Sequence, residues 1–513
     1  MYSSLPPAFL GSLRGASGFD AAAFEAVHAS GEQVVSVRLN PAKWPGAGTA
    51  DERGSETAGR RGVGAVRTGE NVTGGEPGRV RENEAVGGTA GERERLLIWP
   101  GDGTGDVRME KVPWSSWGYY LSERPSFTFD PLLHAGAYYV QEASSMYLEQ
   151  ALRQAVDLSR PLRVLDLCAA PGGKSTLVQS LLTEDSLLVS NEVIRSRAGI
   201  LQENIIKWGA AGAVVTNNDP RDLGRMENYF DVVIVDAPCS GSGLFRREPE
   251  AVEEWSVENV QLCHQRQQRI LADIWPALRK DGILIYSTCS YSVEEDEEIL
   301  DWMMDELGAS PCRLSMDAAW NIVESSTGKG GYGYRCYPDK LRGEGFFITA
   351  VQKNEGDTFS YPRQKRQGLE KLSRSQADEL RPWVGEGGEL FFFRHEEFVR
   401  AAPARMVEDI AYLQSFCYLK KAGVLMGQQG VKEFIPEHEL ALSVIAGRQL
   451  PALELSREEA IEYLRKEEIH AGQGRRGWSL VRYQGQNLGW VKILPNRVNN
   501  YYPKEWRILK RVP

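Results

Sequence analysis

A chain of 513 residues is longer than one hydrophobic core organises, and at roughly 150 residues per domain it predicts about three units. With 42% hydrophobic and 25% charged residues the composition is that of a globular protein, and the absence of any apolar run near the roughly 20 residues that span a bilayer excludes a helical membrane anchor. The net charge of −10 argues against a polyanionic partner, but the average misleads: from Ala471 to Pro513 nine Lys/Arg face a single acid, Glu505.

The segment Met1 to Leu10 has neither the basic stretch nor the extended apolar region of a secretory signal, which predicts a cytoplasmic protein. Seven cysteines, at 168, 239, 263, 289, 312, 336 and 417, include no Cys-x-x-Cys pair and no zinc spacing, so no metal is expected. The thiols are read as free, and each becomes a candidate for packing or for nucleophilic chemistry.

Near the N-terminus, the apolar run Val34–Leu39 is followed by residues 46–95, which hold 13 glycines, nine acids and eight arginines with almost no large apolar side chain. Such a segment cannot bury enough surface to offset chain entropy, so it reads as a disordered insertion within an N-terminal α+β domain. From about Leu162, β-branched and leucine-rich runs alternate with stretches of helical period, predicting a parallel α/β sheet. The predicted strands are Leu162–Leu167, Leu187–Glu192, Ala213–Asn218, Val232–Asp236 and Ile283–Ser287. Ligands of such sheets bind at the carboxyl ends of the strands, which directs attention to the residues just after each run.

The first run leads into Asp166-Leu167-Cys168-Ala169-Ala170-Pro171-Gly172-Gly173-Lys174-Ser175 and then a helical stretch, Ser175 to Leu182. A phosphate loop would need glycine where Cys168 stands, and Pro171 removes an amide donor, which disfavours a nucleotide triphosphatase; a plain strand-to-helix turn remains open. At the end of the second run Glu192 is placed to accept from both ribose hydroxyls of a nucleoside cofactor. After the third, Asn217-Asn218-Asp219 offers an acceptor for an adenine amine. Each acid taken singly also fits a solvated loop or a helix cap.

The fourth and fifth runs end in Asp236-Ala237-Pro238-Cys239-Ser240-Gly241-Ser242-Gly243 and Tyr286-Ser287-Thr288-Cys289-Ser290-Tyr291-Ser292. A cysteine near a strand is by default a small buried hydrophobe, yet two at the cofactor edge of one sheet point to chemistry. The acidic run Glu294–Glu298 suggests a metal site or a helix start; Ser292-x-x-Glu295 fits a capping box, and the structural reading is taken. It implies that a helix dipole beside Cys289 supports its thiolate. Further on, cations including Arg475, Arg476, Lys492, Arg497 and Lys504 interleave with Trp478, Trp490, Tyr501 and Trp506, as expected of an RNA surface; a small β domain with core aromatics is the alternative.

These segments resemble the NOL1/NOP2/Sun family of RNA cytosine-5 methyltransferases, the matches being Asp166–Ser175, Asp236–Gly243 and Ser287–Ser292. His134–Ser145 and Gly343–Phe347 also match. Trp478 to Trp506 resembles the PUA-like RNA-binding module of a bacterial branch of that family acting on the small ribosomal subunit, and Ser36–Pro41 with Lys43 resembles its N-terminal domain. The resemblance implies a Rossmann-like S-adenosylmethionine-dependent methyltransferase sheet. It makes Cys289 the nucleophile that attacks carbon 6 of cytosine, Asp236 the partner of the ring's N3 and amine, and Cys239 the second cysteine, linked to product release.

Cofactor contacts are then expected from Cys168, Ala169, Ala170, Pro171, Gly172, Gly173, Lys174, Glu192, Asp219 and Asp236, with Lys174 either pairing with Asp236 and favouring a thiolate or merely solvated. The units are 1–130, 131–352, 353–445 and 446–513. The substrate is expected to be 16S rRNA in the 30S subunit and the protein a monomer, with a tRNA methyltransferase or a catalytically silent RNA-binding assembly factor as alternatives.

Overall fold

The computed structural model describes residues 5–44, 97–99, 107–361, 369–386, 388–469 and 476–510. The insertion read at 46–95 lies outside the described residues.

Five Val/Ile/Leu-rich strands form the parallel heart of the molecule: β1 (Arg163–Asp166), β2 (Leu187–Asn191), β3 (Ala213–Thr216), β4 (Phe230–Asp236) and β5 (Leu278–Thr288). They lie in the order β3-β2-β1-β4-β5, with Asp166 opposite Ser190 on one side and Ile234 on the other. The direction of winding reverses between β1 and β4, which opens a crevice at their carboxyl ends, where Asp166 and Asp236 stand. The antiparallel β6 (Phe346–Lys353) pairs with β5 and carries the sheet on to the strands Tyr332–Cys336 and Val323–Ser326.

Alternation along each strand sends side chains to two separate cores, as expected of a sheet covered on both faces. Leu165, Val189, Val233, Val235 and Leu284 pack against α3 (Val257–Ile274) and α4 (Glu297–Glu306); Val164, Leu188, Val232, Ile234 and Ile283 pack against α1 (Gly173–Leu181) and the helix Leu148–Ala155. Between β2 and β3 lies α2 (Arg195–Trp208), which ends in Gly209 at φ +90°, a left-handed cap.

The sheet does not end with the 131–352 segment. On its other side β7 (Leu419–Ala422) pairs antiparallel with β3, Leu419 opposite Thr216, so a strand from the 353–445 stretch completes the sheet. Asp409 supports it, its Oδ1 accepting from Arg163 Nε at 2.8 Å, Tyr229 Oη at 2.7 Å and Tyr361 Oη at 2.6 Å.

The N-terminal sheet is antiparallel, with Val35–Leu39 between Gly118–Leu121 and Tyr138–Val140, so it extends past residue 130. Its core runs on into the C-terminal four-stranded sheet: Val37, Leu39, Trp99 and Tyr138 share one apolar cluster with Val481, Leu488, Val491 and Tyr502. Trp490 is 1% exposed and belongs to the core, so for this ring the alternative of a small β domain with core aromatics applies. Among the described residues no helix is long and apolar enough to cross a membrane.

Candidate active site

The turn after β1 is held from both sides: Leu167 N donates to Ile234 O at 2.9 Å and Ala169 N to Asn191 O at 2.8 Å. Gly172 caps α1 at φ +119°, a conformation that L side chains rarely adopt. Asp166 is fully buried; its Oδ2 accepts from Ser175 Oγ at 2.6 Å, while Oδ1 has no protein partner. Burial pushes its pKa up to about 7, with Ser175 opposing and the nearby Asp236 adding to the rise.

At the end of β2 Glu192 is buried, one oxygen accepting from Ile194 N at 2.8 Å and the other 3.3 Å from Arg197 Nη1. A carboxylate has about four lone-pair sites, so capacity for two hydroxyls is left. Asn191 ties the strand ends together, donating to Leu167 O and Asn218 O. Asp219 is exposed and caps the short helix Pro220–Gly224, with Arg221 N 3.1 Å from its Oδ1. The small side chains of Ala169 and Ala170, the glycine at positive φ, the unsatisfied Asp166 Oδ1 and Ser190 Oγ, and the acid on β2 together fit a nucleoside cofactor lying across the strand ends. Cys168 is half-buried, and burial with Asp166, Asp236 and Glu192 drives its thiol well above the ordinary range, which disfavours its thiolate.

On the other side of the crevice, Asp236 at the end of β4 meets Lys174 from the first turn of α1: Nζ to Oδ2 is 2.8 Å, and Asp236 Oδ1 accepts from Ser287 Oγ at 2.8 Å. Burial disfavours the Lys174 ammonium, but Asp236, Asp166 and Cys289 more than offset this, and its pKa is raised. Lys174 is therefore an ion-paired ammonium rather than a solvated lysine. Cys239 Sγ and Cys289 Sγ stand 3.0 Å apart, both half-buried. The hydrogen bond with Cys289, then burial, pushes the Cys239 thiol far up.

The loops that carry these thiols are stitched together. Ala237 N donates to Ser287 O and Gly243 N to Cys289 O, each at 2.8 Å, and Ser242 Oγ accepts from Tyr291 N at 3.0 Å. A side chain at Gly243 would meet Cys289 O and Gly345 O within 2.7 Å, so the loops approach this closely only because that residue is glycine. The segments His134–Ser145 and Gly343–Phe347 meet as well: Ser144 Oγ donates to Glu344 O at 2.9 Å, and Glu142 accepts from Ser144 N and Glu344 N.

The capping box expected at Ser292–Glu295 is not formed. Ser292 makes no capping bond, Val293–Glu295 is a 3-10 turn, and α4 begins only at Glu297. The N-cap of α4, Asp296, is nevertheless tied to Thr288, the residue before Cys289. Glu295 and Asp296 are instead fully buried. Glu295 accepts from Ser240 N at 2.8 Å, from Ser290 Oγ at 2.7 Å, from Gln267 Nε2 at 3.1 Å and from Ser240 Oγ. Asp296 accepts from Thr288 Oγ1 and pairs with the buried Arg335 at 3.1 Å. Sequence reasoning missed all of these partners, which come from four separate stretches of chain.

Of the cations named for RNA, Lys492 and Arg497 lie on the C-terminal sheet, Arg476 just before it and Lys504 in the turn after it. Arg476, Arg497 and Lys504 are exposed, and Arg475 lies outside the described residues. Lys492 is ion-paired with Glu433 and lies 5.3 Å over the Trp478 ring.

Three family descriptions match the chain: 16S rRNA methyltransferase RsmB/F over residues 154–352, the N-terminal domain of 16S rRNA methyltransferase RsmF over 102–143, and the methyltransferase RsmF PUA domain over 450–508. The chain belongs to the RsmB/F methyltransferase family. Ribosomal RNA small subunit methyltransferase F of Aeromonas hydrophila is 28% identical over 412 residues, 78% of this chain and 85% of that protein. The protein of the same name from Salmonella agona is 28% identical over 410 residues, 77% of this chain and 84% of that one. The solved structure of PH0851 shares the fold, with a TM-score of 0.50 at 18% identity over 68% of this chain and 66% of that one. The chain is an S-adenosylmethionine-dependent RNA methyltransferase with a PUA-like C-terminal domain.

Proposed function

We propose that this RsmB/F protein methylates carbon 5 of a cytosine in 16S rRNA, through a transient bond between Cys289 and carbon 6. The observation that carries the reading is the pair of thiols 3.0 Å apart beside the Lys174–Asp236 ion pair, all at the carboxyl edge of the sheet.

Carbon 5 of cytosine is a poor nucleophile until carbon 6 has been attacked, and a thiolate suits that attack. Cys289 forms the S–C6 bond, and Lys174 supplies the adjacent positive charge that favours the thiolate. Asp236, oriented by Lys174 and Ser287, hydrogen-bonds the ring at N3 and its amine and so stabilises the protonated adduct. S-adenosylmethionine, when bound, supplies the electrophilic methyl group. Ala169, Ala170, Pro171, Gly172 and Gly173 with the Cys168 backbone would hold its methionine end, and Glu192 and Asp219 its ribose and adenine. After transfer the proton on carbon 5 leaves, the S–C6 bond breaks and Cys289 is released. Cys239, 3.0 Å from Cys289, takes that proton in its thiolate form.

The protein acts as a monomer without a metal, and a ribosomal substrate puts the reaction in the cytoplasm. The family's name and the PUA-like domain support the 30S subunit as substrate, with Arg475, Arg476, Arg497 and Lys504 on its phosphates and Lys492 beside them. Incubation with labelled S-adenosylmethionine and unmodified 30S subunits, then nucleoside analysis, tests this. Label in 5-methylcytidine is expected; label on tRNA alone overturns the substrate, and label in a different nucleoside overturns the chemistry.

A further inference from the structure

We infer that Glu295 is a positioning residue for methyl transfer: its buried carboxylate clasps Ser240 and Ser290, the residues directly after Cys239 and Cys289, and so fixes how the two thiols face each other. The inference rests on the two-cysteine reading above and adds a residue to it.

Glu295 is 0% exposed and sits in the 3-10 turn that follows the Cys289 loop. Four donors converge on it. Oε1 accepts from Ser240 N at 2.8 Å and from Gln267 Nε2 at 3.1 Å; Oε2 accepts from Ser290 Oγ at 2.7 Å and from Ser240 Oγ. One carboxylate thus holds the backbone and side chain of the Cys239 loop, the side chain of the Cys289 loop, and α3 through Gln267. Gln267 also donates to Pro238 O at 3.1 Å, so the Cys239 loop is gripped on both sides of its thiol.

Among the described residues no Lys or Arg forms an ion pair with Glu295. Burying a carboxylate without a cation is costly, and four hydrogen bonds are what keep it tolerable. A site that only needed filling would be served by an apolar side chain of the same volume. Glutamine, which carries an amide in place of one oxygen, would turn a donor toward Ser240 or Ser290 and loosen one arm of the clasp. Displacing reacting groups by about 1 Å costs about 100-fold in rate, and of the bonds that join the two loops, those of this carboxylate fall on the residues directly after the thiols.

The test compares Glu295→Ala, Glu295→Gln and Ser290→Ala with the full-length wild-type protein, reading S-adenosylmethionine affinity by calorimetry, thermal unfolding, and kcat and KM on unmodified 30S subunits. The clasp predicts unchanged cofactor affinity and KM in all three. It predicts a kcat lowered about 100-fold in Glu295→Ala, with Glu295→Gln between that and wild type. For Ser290→Ala, which removes the bond to Glu295 and the one accepted from Ser292 N and leaves no charge unpaired, the fall is roughly tenfold. Wild-type kcat in Ser290→Ala and Glu295→Gln overturns the inference, as does a loss of cofactor affinity in step with kcat; if Glu295→Ala does not fold, Ser290→Ala decides. Cys289→Ala, run alongside, separates the two readings. If it is active, the cysteine mechanism fails; if it is inactive while the Glu295 and Ser290 variants turn over normally, only the clasp fails.

Discussion

Lys174 Nζ lies 2.8 Å from Asp236 Oδ2, which joins the first turn of α1 to the end of β4. Because the Asp236 side chain is 32% exposed, the pair contributes no more than about 1 kcal/mol to stability, and its effect falls on the chemistry. Asp236→Asn is expected to lower single-turnover methylation by about 100- to 10,000-fold, the range for a lost proton-handling group. Lys174→Met, which leaves Asp236 without its anchor, is expected to cost about 100-fold. Rapid-quench assays with labelled S-adenosylmethionine check both, and a wild-type rate in either variant contradicts the role of the residue replaced.

Asp166 links stability to pH. Its folded pKa is raised to about 7, above the unfolded value near 4, because burial disfavours the carboxylate. Between these values the folded chain holds a proton that the unfolded chain has released. Stability from this group is therefore fully present below about pH 4 and is lost as pH rises through about 7. Urea midpoints of wild type and Asp166→Asn across that window check the sign: the wild type should lose ground to the variant as pH rises.

Three donors converge on Asp409 Oδ1, from Arg163 in β1, Tyr229 just before β4, and Tyr361. Asp409→Ala leaves a guanidinium and two phenols without their acceptor, and the expected loss is about 3 kcal/mol. Chemical denaturation should show a lowered midpoint for the sheet, and an unchanged midpoint would mean that the 353–445 stretch does not brace it.

On the C-terminal sheet the exposed Arg497 and Lys504 differ from Lys492, which is already paired with Glu433. Arg497→Ala and Lys504→Ala should each weaken RNA binding evenly across sequences and lower the salt-dependence slope by about 1. Lys492→Ala should change the slope less. Binding titrations over a salt series measure this, and equal slopes for all three variants would remove these cations from the RNA surface.

What could be read from sequence and what could not follows from the range of each signal. The five parallel strands are buried on both faces, so their apolar runs and polar ends are local signals, and Asp166, Glu192, Asp236, Cys239 and Cys289 could be placed at strand ends from the chain alone. Glu295 could not. Ser292-x-x-Glu295 is locally identical to a capping box, and its actual partners, Ser240 and Gln267, lie 55 and 28 residues away. β7 was hidden for a related reason. Leu419-Lys420-Lys421-Ala422 reads as a polar surface stretch, but Lys421 is buried, paired with Glu439 at 3.0 Å and donating to Gly423 O at 2.8 Å. A charge satisfied by remote partners looks, along the sequence, like a charge in water.

The most direct test of the central claim is to incubate the Cys239→Ala protein with unmodified 30S subunits and labelled S-adenosylmethionine and to resolve the products on a denaturing gel. With the proton-accepting thiol gone and Cys289 intact, the account predicts a labelled protein–RNA adduct that persists under denaturation, and no adduct in the Cys239→Ala, Cys289→Ala double variant. Release of free 5-methylcytidine-containing RNA by the double variant at the wild-type rate would contradict it.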